Sequence, residues 1–328
     1  MTRTFALALC ASLCLGAAAE AQSLKAPVAL TATSPLPSGV KLTEARWYSE
    51  QVEVSGRLFT PANFSGTSNA RAVVLAPAWG QTAQSLDAYA EALAAKGIVA
   101  LAVDYRGWGR SGGFIYLNER LDTYDKLRFS DRTPKLIIRR GRLEPELQIQ
   151  DVRNAITYLD SIPGVDRGKI GMVGVDMAGG HVISVLGMDA RVKAGVAVTP
   201  IIAGKGVEQK SYIPSAATRA DMIRLARNGA PPTTPEAAKA RNALESRIAV
   251  AEYRPFWRLD AIPATDAVQF IVAGADEKVK TADNAQAAAD ALKGSKDVHV
   301  IAGAKHALTA AQTAEAARTA ADWLASKL

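Results

Sequence analysis

From residue 72 onward, short apolar runs alternate with stretches of helical spacing, and no other feature limits the chain as strongly. Ala72-Val-Val-Leu-Ala76 precedes a helical pattern at about 82–96. Gly97-Ile-Val-Ala-Leu-Ala-Val-Asp104 precedes another at about 146–161, with Ile149, Val152, Ile156 and Leu159 on one face. The later runs are Lys169-Ile-Gly-Met-Val-Gly-Val175, Val192–Val198, Val268-Gln-Phe-Ile-Val-Ala273 and Val298-His-Val-Ile-Ala302. Helices are expected at about 281–293 and from about Thr309 to the end. Strands separated by helices pair in parallel through right-handed crossovers. The expectation is an α/β fold, a mostly parallel central sheet flanked by helices. Ahead of it, Trp47-Tyr-Ser-Glu-Gln-Val-Glu-Val54 and Arg57-Leu-Phe59 alternate as an antiparallel pair would. With 328 residues, 48% of them hydrophobic, the chain can bury a sizeable core over residues 46–328.

Residues 201–262 break the rhythm. They are polar, contain Pro231, Pro232 and Pro235, and carry helical patterns at about 214–227 and 235–248. A helical lid over a site and a packed surface subdomain both fit such an insertion.

The junction Gly171-Met-Val-Gly-Val-Asp-Met-Ala-Gly-Gly-His181 sets Asp176 between an apolar strand and a helix, flanked by Gly174 and Ala178. A sharp strand-to-helix turn of this kind, usually Gly-x-Ser-x-Gly, presents a nucleophile above the sheet. Here the central residue is an aspartate. It either attacks as a carboxylate or, with no catalysis, caps the helix through its free N–H groups.

Catalysis by a carboxylate needs a base for its second step and a group to orient that base. The chain has three histidines. His181 lies in the elbow helix and reads as a packed residue, and His299 is inside a strand. His306 sits in Ala302-Gly-Ala-Lys-His-Ala-Leu308, a loop after the last strand, where ligands bind in open α/β sheets. It is the expected base. Asp276, just after the glycine turn in Ile271-Val-Ala-Gly-Ala-Asp-Glu-Lys-Val279, is the expected orienting acid, with Glu277 as fallback. Developing negative charge would be met by the N–H of Met177 and one from the loop Pro77-Ala-Trp-Gly80, with Trp79 the expected donor. Its indole fits equally as a pocket wall or a cover for the sheet edge.

The start of the chain has the parts of a secretory signal: Arg3, the apolar run Phe5–Leu15 and Ala19-Glu-Ala21, with cleavage expected after Ala21 and a periplasmic or secreted location. The apolar run is shorter than the ~20 residues a spanning helix needs. Residues 22–45, rich in Pro, Ser, Thr and Ala, read as an extended lead-in. Cys10 and Cys14 both fall inside the signal, so the mature chain has no disulfide, no zinc-thiolate site and no cysteine nucleophile. Cleavage removes Arg3 and Glu20 together and leaves the formal charge of +7, which alone does not indicate a nucleic-acid partner. Much of that charge lies in one segment, at Lys126, Arg128, Arg132, Lys135, Arg139, Arg140 and Arg142. It reads as a solvated basic face or as a site for an anionic substrate or surface.

Together these residues resemble the α/β-hydrolase superfamily, and within it the dienelactone-hydrolase-like and acyl-peptidase-like esterases. Asp104-Tyr-Arg-Gly-Trp-Gly-Arg-Ser-Gly-Gly113 resembles that group's turn after the fourth strand. Asp151–Leu159 and Asp189–Ala194 resemble its flanking segments. The resemblance implies hydrolysis of an ester, amide or similar bond in a small molecule, with no metal and no organic cofactor. It also implies a serine or cysteine where this chain has Asp176. Haloalkane dehalogenases and epoxide hydrolases of the superfamily use aspartate, attacking an sp3 carbon to form an ester that histidine-activated water cleaves. Met177 stands where the dehalogenases place a halide-holding tryptophan, and Tyr212 and Tyr253 are the tyrosines in or next to the insertion. The competing expectation is a binding protein that kept the fold and lost its nucleophile.

Overall fold

The central strands are apolar along their whole length because helices cover both faces of the sheet. In the computed structural model, which describes residues 30–117, 133, 135–202, 216–227, 234–277 and 279–328, the strands are β1 (Lys41–Ser49), β2 (Val52–Thr60), β3 (Ala70–Ala76), β4 (Val99–Asp104), β5 (Phe114–Leu117), β6 (Leu136–Arg139), β7 (Val165–Val175), β8 (Val192–Val198), β9 (Ala267–Ala273) and β10 (Ser295–Ile301). The helices are α1 (Asp87–Ala95), α2 (Pro145–Ser161), α3 (Met177–Leu186), α4 (Ala216–Arg227), α5 (Pro235–Glu252), α6 (Thr281–Ala291) and α7 (Ala310–Lys327). The expected signal at 1–21, residues 22–29 of the lead-in, Lys126, Arg128, Arg132 and Tyr212 lie outside the described residues.

Eight strands form one sheet in the order β1-β2-β4-β3-β7-β8-β9-β10. β1 and β2 pair antiparallel, as do β2 and β4, and every pairing from β4 to β10 is parallel. Alternate residues of one strand feed two cores. Val74 of β3 and Leu101 of β4 belong to the core that α2, α3 and α6 cover, whereas Val73 and Leu75 belong to the one that α1 and α7 cover. Burial on both sides explains why these runs lack the polar alternation of a half-solvated strand. From β3 the chain moves outward to β4 and later returns to lay β7 on the other side of β3. The loops leaving β3 and β7 therefore diverge over a crevice, the position where open α/β sheets bind ligands.

Two elements differ from the expectation. β1 begins at Lys41, well before the alternation at Trp47, because the buried Glu44 interrupts the apolar pattern there. That carboxylate is tied to Arg46, Arg110 and the Ser55 hydroxyl. The second is the ribbon β5–β6, paired from Phe114↔Arg139 to Leu117↔Leu136 and separate from the main sheet. Ile115, Leu117, Leu136 and Ile138 are exposed on it, so its residues gave no burial pattern to read. The described residues of the insertion include two helices, α4 and α5. α5 runs on to Glu252, and α4 packs against it through Met222, Ala226 and Ile248. Thr309 caps α7 in a reciprocal capping box with Gln312. Among the described residues, no helix is long and apolar enough to cross a membrane.

Candidate active site

Asp176 occupies the turn between β7 and α3 with φ 57° and ψ −117°, a conformation that strains a residue bearing a side chain. Backbone bonds hold it there. Its N–H donates to the Val198 carbonyl at 2.9 Å, and its carbonyl accepts from Gly179 N–H at 2.9 Å and Ile201 N–H at 3.0 Å. The turn closes because Gly174 has no side chain: a Cβ there would lie 2.0 Å from the Ala178 carbonyl oxygen. Gly180 likewise admits the Ile201 carbonyl, which a Cβ would approach to 2.7 Å. Ala178 is fully buried, and its methyl group fits the position where glycine is usual in such turns.

The Asp176 carboxylate makes no capping bond to α3. Instead its Oδ1 lies 3.0 Å from His306 Nε2, and its Oδ2 accepts the Trp79 N–H at 3.3 Å. His306 reaches this point from the loop after β10, and its Nδ1 lies 2.9 Å from Asp276 Oδ2. The two loops are stitched together by Ala275 N–H donating to the Ala304 carbonyl at 2.8 Å. Asp276 is buried, and its Oδ1 accepts the Val279 N–H at 3.0 Å. The fallback acid, Glu277, points to solvent.

Ionised carboxylates only accept hydrogen bonds, so an imidazole between two of them carries a proton on each nitrogen. The electrostatics agree in direction. Burial disfavours charge on His306, but hydrogen bonds and attraction from Asp176 and Asp276 outweigh it and raise its pKa. Burial likewise opposes charge on Asp276, yet the Val279 N–H and His306 hold its carboxyl below the usual range. Met177 opens α3, where the first N–H groups of a helix have no acceptor within the helix.

His181 is a packed histidine, as its position in the elbow helix suggested. It is fully buried, with Nδ1 2.8 Å from the Tyr253 hydroxyl and Nε2 3.1 Å from Gln148 Oε1. Burial pushes its pKa down to about 3, so it is neutral. Tyr253, one of the tyrosines of the insertion, is buried in this cluster. Its hydroxyl is committed to His181 and, at 3.2 Å, to Ser184. His299 stays on β10 beside Glu315.

Sequence reasoning missed a cleft of about 850 Å³ that runs from Trp79 past Trp108 to β6 and α5. Its signals were Trp108 inside the turn after β4 and the basic residues Arg139 and Arg140, which had no partner to define them in sequence. Among the described residues, no group of three or more His, Cys, Asp or Glu side chains could hold a metal ion.

Residues 73–321 match the family model described as the alpha/beta hydrolase family. An uncharacterized protein of Pseudomonas aeruginosa is 28% identical over 51% of this chain and 39% of its own length. Its crystal structure superposes with a TM-score of 0.66 at 17% identity, covering 92% of this chain and 99% of that one. A thiohydrolase of Aspergillus aculeatus is 28% identical over 49% of this chain and 44% of its own length. An acetyl xylan esterase from a Paenibacillus species has a TM-score of 0.59 at 15% identity, over 92% of this chain and 88% of that one. The sequence matches thus span less than half of these curated relatives, while the solved structures share the fold almost throughout. With three quarters of its length under the family model, the chain belongs to the alpha/beta hydrolase family.

Proposed function

We propose that this chain is an exported hydrolase in which Asp176 is the nucleophile, His306 moves the protons and Asp276 holds His306. The observation that carries the reading is the placement of one imidazole between two carboxylates, 3.0 Å from Asp176 and 2.9 Å from Asp276. A helix cap would need the Asp176 carboxylate on the N–H groups of α3, and it is not there. Export rests on the signal-like start of the sequence.

The chemistry follows from the charges. In the first step an Asp176 oxygen attacks an sp3 carbon, that carbon's bond to its leaving atom breaks, and an ester of Asp176 forms. His306 begins with a proton on Nε2 directed at Asp176, and a departing oxygen can take it. A halide leaves without a proton. The arrangement therefore favours a small substrate that breaks a carbon–oxygen bond at a saturated carbon, an epoxide above all. Forming the ester removes the Asp176 charge, and His306 is left neutral.

In the second step neutral His306 takes a proton from water, and the hydroxide attacks the Asp176 carboxyl carbon. The oxyanion so formed lies at the oxygen that already accepts the Trp79 N–H, with the first N–H groups of α3 alongside. Trp79 thus serves the carboxyl of Asp176 itself. Collapse expels the alcohol oxygen, which takes the proton of the new carboxylic acid. Asp176 and protonated His306 are restored.

A single turnover in oxygen-18 water, followed by mass analysis of the peptide containing Asp176, tests this directly. The expected result is label in the Asp176 carboxylate. Turnover without label would sink the nucleophile assignment, and absence of turnover on epoxide, halide and ester panels would favour the non-catalytic binding protein.

A further inference from the structure

The cleft beside Trp79 has an uneven charge. Arg139, Arg140, Lys239 and Arg247 line it together with Trp79 and Trp108, and among its described lining residues there is no aspartate or glutamate. Two of the cations are held without being neutralised. Arg139 stacks over the Tyr116 ring at 4.7 Å, and Arg140 donates to the carbonyls of Gly109 and Ser111. Lys239 and Arg247, both exposed on α5, have no ion pair or hydrogen bond with any described residue. Arg142, close to Arg140 in sequence, is by contrast neutralised by Glu144 and Glu245.

The wall is also short of hydrogen bonds. Trp108 Nε1 and Asn242 Oδ1 are buried and lack a partner. Asn242 is 7% exposed, and its NH2 group donates to the Arg140 carbonyl at 3.0 Å. That bond fixes the amide orientation, so the unpaired atom is an acceptor. Buried polar groups without partners are uncommon in folded proteins. Both residues line the cleft.

We infer that this cleft binds the anionic end of the substrate: a small molecule with an apolar or aromatic body lying along Trp79 and Trp108 and a carboxylate reaching Lys239 and Arg247. The inference rests on Asp176 as the reacting group, because Trp79 links the two places, its N–H on Asp176 and its residue in the cleft wall. Four like charges around a concave apolar surface attract an anion more strongly than the same charges spread over a convex one. An arginine also meets a carboxylate with two parallel N–H groups, a geometry a neutral amide cannot match.

Calorimetric titration with phenylbutanoate and with its neutral amide, phenylbutanamide, tests the cleft without turnover. The acid is expected to bind at least about ten-fold more tightly than the amide, a difference of about 1.4 kcal/mol. Raising the salt concentration should weaken the acid alone. Combining K239Q with R247Q should bring the acid to the affinity of the amide and leave the amide unchanged. Both side chains are exposed, so the variant keeps the fold, which circular dichroism checks. Equal binding of acid and amide, unchanged acid binding in the double variant, or no binding of either overturns the inference. The two readings separate cleanly. Acid selectivity without label in Asp176 keeps the cleft and loses the nucleophile, and label without selectivity does the reverse.

Discussion

At the scale of single residues, the site turns on the charge of one imidazole. His306 owes its raised pKa to Asp176 and Asp276 acting against burial, and the consequence has a definite sign. A histidine whose folded value lies above its unfolded value contributes stability that is fully present below about pH 6.5. That contribution is lost as the pH rises through the folded value. In the proposed mechanism the same titration removes the proton used in the first step, so kcat/KM should fall along an alkaline limb at that point. Asp276→Asn removes one of the two charges and should move the limb to lower pH, besides cutting kcat by about 100-fold or more. An unmoved limb in a pH–rate profile of that variant would show that Asp276 does not set the charge of His306. Each member of the trio was legible in sequence because each follows a recognisable break: a glycine turn, a loop after an apolar run, a strand-to-helix junction. The target of the Trp79 N–H was not legible. A backbone donor carries no residue signature, and only the geometry shows that it points at Asp176.

At the scale of elements, the elbow works because small residues let β7, α3 and the segment after β8 approach closely. Gly174→Ala would place a methyl 2.0 Å from the Ala178 carbonyl oxygen, a backbone atom that cannot swing aside. The expected cost is about 1–3 kcal/mol or more, read as a lowered denaturant midpoint, together with lost turnover as Asp176 shifts. Tyr253→Phe separates structure from catalysis. It leaves a buried His181 nitrogen without its 2.8 Å partner, at a cost of about 1–3 kcal/mol, yet turnover at temperatures below the melting point should be retained. A loss of kcat with unchanged melting would restore Tyr253 to the reaction. The helices of the insertion were readable from their spacing, whereas the commitment of Tyr253 to α3 was not. A tyrosine in an insertion looks the same in sequence whether it faces a substrate or a buried histidine.

At the scale of the whole molecule, the parallel core was legible because burial on both faces leaves a run of apolar residues. Strand order was not, since any of these runs could have taken any central place, and only packing sets β3 beside β7. An ionic contact ties α2 to the sheet: Arg106, just past β4, donates to Asp151 of α2 through Nε at 2.9 Å and Nη2 at 2.7 Å, and through its backbone N–H at 2.9 Å. Asp151 is fully buried, so Arg106→Met strands a carboxylate in the interior. The expected loss is about 3–5 kcal/mol, measured by denaturant unfolding. Losing less than 1 kcal/mol would mean that α2 is held to the sheet by apolar packing alone. The sheet has two open ends, β1 and β10, and the second bears on how the molecule keeps company at high concentration. An unpaired strand edge is a template on which another chain can add a strand and begin aggregation. β10 enters that edge through Ser295, Lys296 and Asp297, all exposed, so an incoming strand would have to strip water from two opposite charges before its first backbone bonds formed. The same few residues that give the strand a weak apolar signal act as its guard against fibre growth.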